Sequence, residues 1–338
     1  MTLQALEKPL EGNLIVRPVT IDDLENAISL FNLCTKLEMG VETNTIEDLR
    51  KEWETPKFDL ATSTRAVFTP EGKMVGYVEL IDIREPAVRP FVWGRVHPEY
   101  RGRGLGTMLI QWGEERGRQA IDRCPPEARV VLGTWAHESA HDGKALLEAN
   151  GFQSERGSYQ MLIEMTEAPP APIWPEGITV TTFDQFNDAK TLYTIHREAF
   201  QDHRGFVEED FEIAFERWSH FMLKGENYDP TAWFLAMKDG EIAGYSLCEP
   251  KAWDDPDKAF VEILGVRRAY RKQGLGLALL HHTFGKFWKR GTKKVGLGVD
   301  ATSITNAVAL YERAGMHVFR RFDMYEKELR PGVELSTQ

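Results

Sequence analysis

Two short segments carry residue types that suit anion binding: "RGRGLG" at 101–106 and "RKQGLG" at 271–276. Each follows an apolar run and opens an amphipathic one, so the spacing predicts a strand, a tight turn and a helix. Such a turn points backbone N–H groups outward at a helix N-terminus. The helix dipole adds partial positive charge there, and the missing Cβ atoms let a pyrophosphate approach. The same pattern also fits a plain strand-to-helix turn with no ligand. Two nucleotide-binding patterns are excluded: there is no GxxxxGK[ST], and the arginine-led RxxGxG spacing is not GxGxxG.

The elements that must position these turns also occur twice. "VHPEYRGRGLG" (96–106) lies over "VRRAYRKQGLG" (266–276), and "ALLEANGF" (145–152) lies over "ALYERAGM" (309–316) in the same order. Two separated matches in register indicate an internal duplication. Each half opens with a strand ("NLIVRPV", "ITVTTF") and an amphipathic helix ("IDDLENAISLFNLC", "FNDAKTLYTIHREAF"). Hairpins follow, turning at "PEGK" and at "KDGE", where Asp-Gly suits a positive-φ turn. A further strand, "FVWGRV" or "FVEILGV", runs into each glycine turn. The proline-rich "TEAPPAPIWPEG" (166–177) has neither period and reads as a linker. The expected fold class is α+β, with domains at 12–165 and 178–330.

Composition agrees with two globular domains. A chain of 338 residues exceeds the roughly 250–300 residues at which single cores stop growing. Its 42% hydrophobic and 28% charged residues leave little room for long disorder. No apolar run is long enough for a membrane span, and "MTLQALEKPLEGN" lacks the features of a secretory leader, so a cytoplasmic location is expected. The net charge of −11 argues against nucleic acid as a partner. Cys34, Cys124 and Cys248 are odd in number and lack CxxC spacing, so neither a disulfide framework nor a metal site is expected.

The RxxGx[GA]-type turn within this order of elements resembles the GNAT N-acetyltransferase family, in its tandem, mycothiol-synthase-like architecture. The resemblance covers nearly all of the chain. It implies two domains, each a mixed, mostly antiparallel splayed sheet flanked by helices, with acetyl-coenzyme A as co-substrate and a small-molecule amine as acceptor. Arg271, Gln273, Gly274, Leu275 and Gly276 match the family's cofactor-binding turn, as do Arg101, Arg103, Gly104, Leu105 and Gly106. Val96, Leu264 and Val266 fall on the strand that lines the cofactor, and Asn306 where the pantetheine arm is contacted.

The family often supplies a general base from a glutamate on the fourth strand and a general acid from a tyrosine on the helix after the fifth. Glu262 and Tyr311 hold those places in the second half, with Glu262 expected to share a strand face with Leu264 and Val266. The matched positions of the first half hold Val92, Leu147 and, for Asn306, Asp142. Chemistry is therefore expected in the second half, through Glu262 and Tyr311, with the first half non-catalytic. The alternative is an acyl-coenzyme A sensor without turnover.

The acceptor side should include "AFQDHRGFVEEDFEIAFERW" (199–218), where Asp202, His203, Glu208, Glu209 and Asp210 would attract a cation or simply favour a helix start. Asp202 and His203 are the candidate substrate residues. The aromatic residues at near-helical spacing in this segment read as core.

Overall fold

The computed structural model describes residues 13–301 and 306–337. Residue 12, where the sequence places the start of the first domain, lies outside the described residues. In the first half the elements are β1 (Ile15–Arg17), α1 (Leu24–Met39), α2 (Ile46–Trp53), α3 (Leu60–Ser63), β2 (Thr64–Phe68), β3 (Met74–Ile81), β4 (Phe91–Val96), α4 (Leu105–Arg118), β5 (Val130–His137), α5 (His141–Ala149) and β6 (Gln153–Glu164). The second half has β7 (Thr179–Thr182), α6 (Phe183–Phe186), α7 (Ala189–Phe200), α8 (Phe211–Leu223), β8 (Trp233–Lys238), β9 (Glu241–Glu249), β10 (Lys258–Val266), α9 (Leu275–Lys289), β11 (Lys294–Asp300), α10 (Ala307–Arg313) and β12 (His317–Arg330).

Local chemistry fixes many of the boundaries. Thr45 caps α2 by accepting from the Asp48 N–H, and Asp188 caps α7 by accepting from Thr191. Gly40, at φ 79°, ends α1 in the left-handed conformation. The β8–β9 hairpin turns on Asp239 (φ 52°) and Gly240 (φ 85°), the paired positive φ that the sequence motif predicts. Residues between Met165 and Gly177 form neither helix nor strand, although Trp174 packs against Leu275 and Leu279.

The chain divides into two compact units that differ from a simple cut at the linker. Unit 1 comprises the residues up to Arg156 with Glu209–Arg217 and Phe322–Leu335. Unit 2 comprises Gly157–Glu208, Trp218–Arg321 and the last few residues. Each half thus gives its final strand to the other unit. In unit 1 the strand order is β1-β2-β3-β4-β5-β12, and β12 pairs antiparallel with β5 from Phe322↔His137 to Arg330↔Val130. In unit 2 it is β6-β11-β10-β9-β8-β7, with β6 antiparallel to β11 from Ser158↔Asp300 to Glu164↔Lys294.

Ion pairs tie β12 into unit 1, and a hydrogen bond to a buried charged network ties β6 into unit 2. In unit 1, Arg89 pairs with Glu326 at 2.6 Å, Arg129 with Glu328 at 2.9 Å and Lys144 with Asp323 at 2.5 Å. In unit 2, Gln160 of β6 accepts from Arg320 at 3.4 Å, and Arg320 also pairs with buried Asp254. Lys258 donates to the same Asp254 at 2.7 Å, which completes a buried network. Such a network costs desolvation unless every member is partnered, so it favours this one pairing of strands.

Each unit has its own core. In unit 1, Leu30, Phe31, Trp53 and Tyr77 pack between α1, α2 and the sheet. In unit 2, Leu280, Phe284 and Phe287 of α9 pack on Phe234, Val261 and Leu297. The three cysteines are free and buried, and among the described residues no helix is long and apolar enough to cross a membrane.

Exchange of the last strand makes a direct prediction. A chain ending at Arg321 leaves β5 as an unpaired edge inside unit 1, an exposed template for aggregation. It should lose amide-exchange protection throughout β3, β4 and β5 and scatter light at concentrations where the full chain stays clear. Full protection of β5 in the shortened chain would mean that β12 is dispensable to unit 1.

Candidate functional site

Both glycine turns are built alike, and for two separate reasons. Gly104 (φ 80°) and Gly274 (φ 84°) are left-handed N-caps of α4 and α9, and a Cβ on either would meet nothing within 4 Å. Their requirement is conformational, and the space in front of them is open. Gly106 and Gly276 are needed for packing: a Cβ would lie 2.8 Å from Leu146 Cδ2 in one unit and 3.2 Å from Leu310 Cδ2 in the other. Gly102, at φ 74°, is matched by Lys272 at φ 60°, so the second turn keeps its path without that glycine.

The other turn residues act in distinct ways. Arg101 Nε donates to the Val96 carbonyl at 3.4 Å and Arg271 Nε to the Val266 carbonyl at 3.0 Å, so each arginine ties the turn back to its strand. Arg103 and Gln273 donate to Glu99 and Ala269 carbonyls within the turns. Leu105 and Leu275 are buried, so their side chains anchor the helix and only their N–H groups face the turn. Neither helix has a side-chain cap, and the first intrahelical bonds run from Met108 to Gly104 and from Ala278 to Gly274. The preceding N–H groups of each helix lack an intrahelical acceptor and face the open space, an arrangement that fits a phosphate.

The strands beside each turn separate. In unit 1 the parallel pair β4–β5 is registered at Phe91↔Gly133, and beyond it the two strands line a cavity of about 820 Å³. Gly102, Gly104 and Thr107 line it at the turn, and Val92, Ile110 and Leu147 belong to its wall as buried side chains. Trp93, Trp135 and the Arg95–Glu38 pair, 3.5 Å apart, line it as well. His97 N–H bonds the Val75 carbonyl, so by antiparallel alternation the N–H of Val96 points away from β3 toward the gap. Unit 2 repeats this: Arg267 N–H bonds Ala243, which turns the Val266 N–H away from β9.

Unit 2 departs from unit 1 at Glu262. β10 pairs with β11 from Lys258 to Val261, then shifts register against β9 between Val261 and Ile263. The shift is a β-bulge, and Glu262 is its extra residue. Val261 packs with Leu280 and Phe284 of α9, while Leu264 packs against that cluster and against Leu275 and Leu279. Val261 and Leu264, three apart, both face α9, so the bulge interrupts strict alternation at Glu262, while Leu264 and Val266 keep a common face against α9. The true counterpart of Val92, whose Cγ2 would lie 2.5 Å from a Cβ at Gly113 of α4, is Val261. Glu262 itself is exposed and has no counterpart in unit 1. Bulges re-aim side chains, and this one delivers a carboxylate where β10 leaves β11.

Tyr311, on α10, is 8% exposed within the same cluster as Val261, and burial pushes its hydroxyl up to about 12. Asn306 is exposed at the N-cap of α10 with φ 53°, a conformation asparagine tolerates. Leu147 of unit 1 is as buried as Tyr311 but brings no hydroxyl.

The acidic segment behaves as ordinary structure. Asp202 is held by Arg271 at 2.5 Å and by Arg268 at 3.2 Å, and the bond from Arg271 is the main reason its pKa falls to about 2. It braces the glycine turn through Arg271. Glu208 pairs with Arg197, Glu209 with Arg217 at 2.5 Å, and Asp210 accepts from the Ile213 N–H at the start of α8. The His203 ring packs at a tilt of 49° against Phe200, with centroids 4.3 Å apart, and burial lowers its pKa. Among the described residues no group of His, Cys, Asp and Glu is placed to hold a metal ion.

The comparison with known families follows this geometry. The acetyltransferase (GNAT) family model matches residues 30–137 and 189–316. The chain belongs to the GNAT family. Among GNAT relatives, a mycothiol acetyltransferase of Streptomyces bingchenggensis is 31% identical over 274 residues, covering 77% of this chain and 79% of the relative. One from Streptomyces scabiei is 30% identical over 260 residues, covering 75% and 77%. The solved structure of a GCN5-related N-acetyltransferase from Sphaerobacter thermophilus shares 35% identity at a TM-score of 0.77, covering 96% of this chain and 98% of that one. A tandem GNAT protein of the clavulanic acid pathway, 16% identical with a TM-score of 0.67 and coverage of 95% and 100%, shares the fold. This tandem GNAT chain is an acyltransferase.

Sequence reasoning missed a tyrosine repeated beneath the fourth strand of each GNAT unit. In unit 1, Trp53 donates to Tyr77 Oη at 3.1 Å, and Tyr77 donates to Glu79 at 2.7 Å. In unit 2, Tyr245 Oη meets His196 Nδ1 at 3.1 Å, and its ring occupies the space that a Cβ on Gly265 would need. Burial, followed by the nearby His203 charge, lowers His196 to about 4. The aligned "GY" of "VGYVEL" and "AGYSLC" was the available signal.

Glu79 makes stability depend on pH. Burial first, then the charge of Glu52, lifts its carboxyl to about 8 against the bond from Tyr77. An unfolded glutamate titrates near about 4.3. A raised folded pKa gives stability that is whole below the unfolded value and is lost as pH climbs through the folded one. Between pH 5 and 8 the protein should lose on the order of 1–3 kcal/mol from this group, and Glu79→Gln should flatten that loss in urea midpoints. Parallel pH profiles for the two proteins would show that Glu79 ionises freely in the fold.

Proposed function

We propose that the protein transfers the acetyl group of acetyl-coenzyme A to the primary amine of a small acceptor, with the chemistry in unit 2. The observation that carries this is the joint presence in unit 2 of Glu262, a bulge residue without a counterpart in unit 1, and of Tyr311, where unit 1 has Leu147. The mycothiol acetyltransferases that resemble the chain support a small-molecule acceptor.

Acetyl-coenzyme A supplies an activated thioester, and the turn at Gly274 with its bare helix N-terminus would hold the phosphates. The Val266 N–H, directed into the gap, would donate to the thioester carbonyl as negative charge develops there. Glu262 would take the proton of the acceptor ammonium, directly or through water, and free its lone pair. The carboxylate is exposed at the bulge, so the proton passes on to solvent. Tyr311 keeps its proton throughout the neutral range because burial disfavours the phenolate. The thiolate departs into the same apolar surroundings, where desolvation raises its own proton affinity, and Tyr311 would protonate it. Unit 1, which keeps the turn without these groups, would bind coenzyme A without turnover.

Tyr311→Phe and Glu262→Gln each remove one proton-handling group while keeping shape. Each should lower kcat by about 10²–10⁴-fold, with coenzyme A affinity by calorimetry changed far less. The assay is thiol release with a panel of amines and mass detection of the acetylated product. Coenzyme A binding without turnover on any amine would favour the sensor alternative, and full activity in both variants would place the chemistry elsewhere.

A further inference from the structure

Arg95 of β4 lines the unit 1 cavity and is held there by ring faces. Its Cα pairs with Tyr77, which belongs to the core between α1, α2 and the sheet, so the side chain lies on the α1 side of β4. There the guanidinium lies over the Trp93 ring at 4.7 Å and the Trp135 ring at 5.6 Å. Stacking holds the planar group by its faces and leaves its N–H groups to point outward in the plane. Glu38, near the end of α1, approaches Arg95 Nη2 at 3.5 Å without hydrogen-bond geometry. The two side chains are only 11% and 12% exposed, yet the buried atoms Arg95 Nε and Glu38 Oε2 have no hydrogen-bond partner among the described residues. Buried polar atoms are normally hydrogen-bonded, and leaving them open is costly. Here a donor and an acceptor stand open side by side.

These side chains are peculiar to unit 1. In unit 2, Gly265 stands opposite Tyr245 as Arg95 stands opposite Tyr77. Gly298, two residues past the Phe260↔Gly296 pair, holds the place of Trp135, two past Phe91↔Gly133. The scaffold that both units share therefore does not require them. Ser139 Oγ donates to the Glu38 carbonyl at 2.7 Å and fixes the end of α1 beside the pair. The charges around the opening sum to zero, because Arg95 and Arg101 stand against Glu38 and Asp142, with Arg101 3.9 Å from Glu38 and 3.7 Å from Asp142. A lone anion placed here would face Glu38 unpaired, and a lone cation would face Arg95. A ligand with both charges pairs each of them and adds no net charge. We propose that this side of the cavity binds a free α-amino acid, its carboxylate on Arg95 and its ammonium on Glu38, both through charge-assisted hydrogen bonds. Leu37, 62% exposed and part of the same lining, offers apolar surface to the side chain of the ligand. The site stands on these residues of unit 1 and does not depend on where coenzyme A binds.

The test is calorimetry on the full chain in the absence of coenzyme A, so failure here leaves the phosphate assignment standing. The probes are glycine, L-alanine, L-leucine and L-phenylalanine, together with L-leucinamide and 4-methylpentanoate, each of which lacks one charge of L-leucine. L-leucine should bind at a single site, and each analogue should bind at least about tenfold more weakly, as expected for the loss of one charge-assisted hydrogen bond. Arg95→Gln and Glu38→Gln should each weaken L-leucine by at least about tenfold. In Glu38→Gln the preference for L-leucine over 4-methylpentanoate should vanish, and in Arg95→Gln the preference over L-leucinamide should vanish. That matching of variant to analogue is a signature that a general loss of folding does not give, and urea midpoints of the variants check folding separately. Heat from none of the four amino acids would overturn the proposal and leave Arg95 and Glu38 to water alone. Analogues as tight as L-leucine, or L-leucine affinity unchanged in both variants, would overturn it as well.

Discussion

The parallel pairing between the fourth and fifth strands of each unit stops part-way, and the functional geometry depends on that stop. In unit 1 the registered pair is Phe91↔Gly133, and in unit 2 pairing ends at Val261↔Leu297. Past those points each fourth strand keeps an antiparallel neighbour on one side only. The N–H groups of Val96 and Val266 are left pointing into a gap. Water or a ligand must satisfy them, because buried unpaired donors are costly. The helix that follows, α4 or α9, starts at the wide end of the gap through a left-handed glycine. The unaccepted donors of the strand and the bare N-terminus of the helix thus face one space. A binding groove follows from where the sheet fails to close.

How much of this was legible in the sequence depends on how local each constraint is. The turns were readable because Gly104 and Gly274 answer to their own φ, and the β8–β9 hairpin because Asp239 and Gly240 answer to theirs. The bulge at Glu262 was not. Counting back from the glycine turn at a constant offset assumes strands of equal length, and one added residue moves Glu262 off Val92 and puts Val261 there. Only the ladder with β9 reveals the insertion. The setting of Asp202 was hidden for another reason: its charge was visible, but its partner Arg271 lies 69 residues away. A cluster of acids signals a cation site only when the chain supplies no cations of its own, and here Arg197, Arg217, Arg268 and Arg271 take them up.

The exchange of final strands could not be read at all. β6 and β12 both close a half, both alternate, and both offer an antiparallel partner to a fifth strand, so periodicity cannot say which goes where. The choice rests on specific charges. Asp323, Glu326 and Glu328 of β12 meet Lys144, Arg89 and Arg129, while Gln160 of β6 joins the buried network of Asp254, Lys258 and Arg320. A misplaced β12 would part Asp323, Glu326 and Glu328 from Lys144, Arg89 and Arg129, and a misplaced β6 would take Gln160 away from buried Arg320. Electrostatic penalties of that kind discriminate between alternative pairings even where their net contribution to stability is small.

That exchange also makes the two copies of one fold dependent on each other within one chain. Unit 2 needs β6 from the first half to complete its sheet, and unit 1 needs β12 from the second. Neither half can be discarded without unpairing an internal strand of the other unit, so the first half is required for structure whatever its groove does. The groove floor carries none of this structural demand beyond being apolar and well packed. Val92 and Leu147 meet that demand as well as any proton-handling residue would, and better than an ionised one. Glu262 in unit 2 escapes the same packing constraint only because the bulge turns it out to solvent. The Glu262 carboxylate therefore sits where a strand departs from regular pairing, and the regular copy of that strand has no exposed carboxylate at this point.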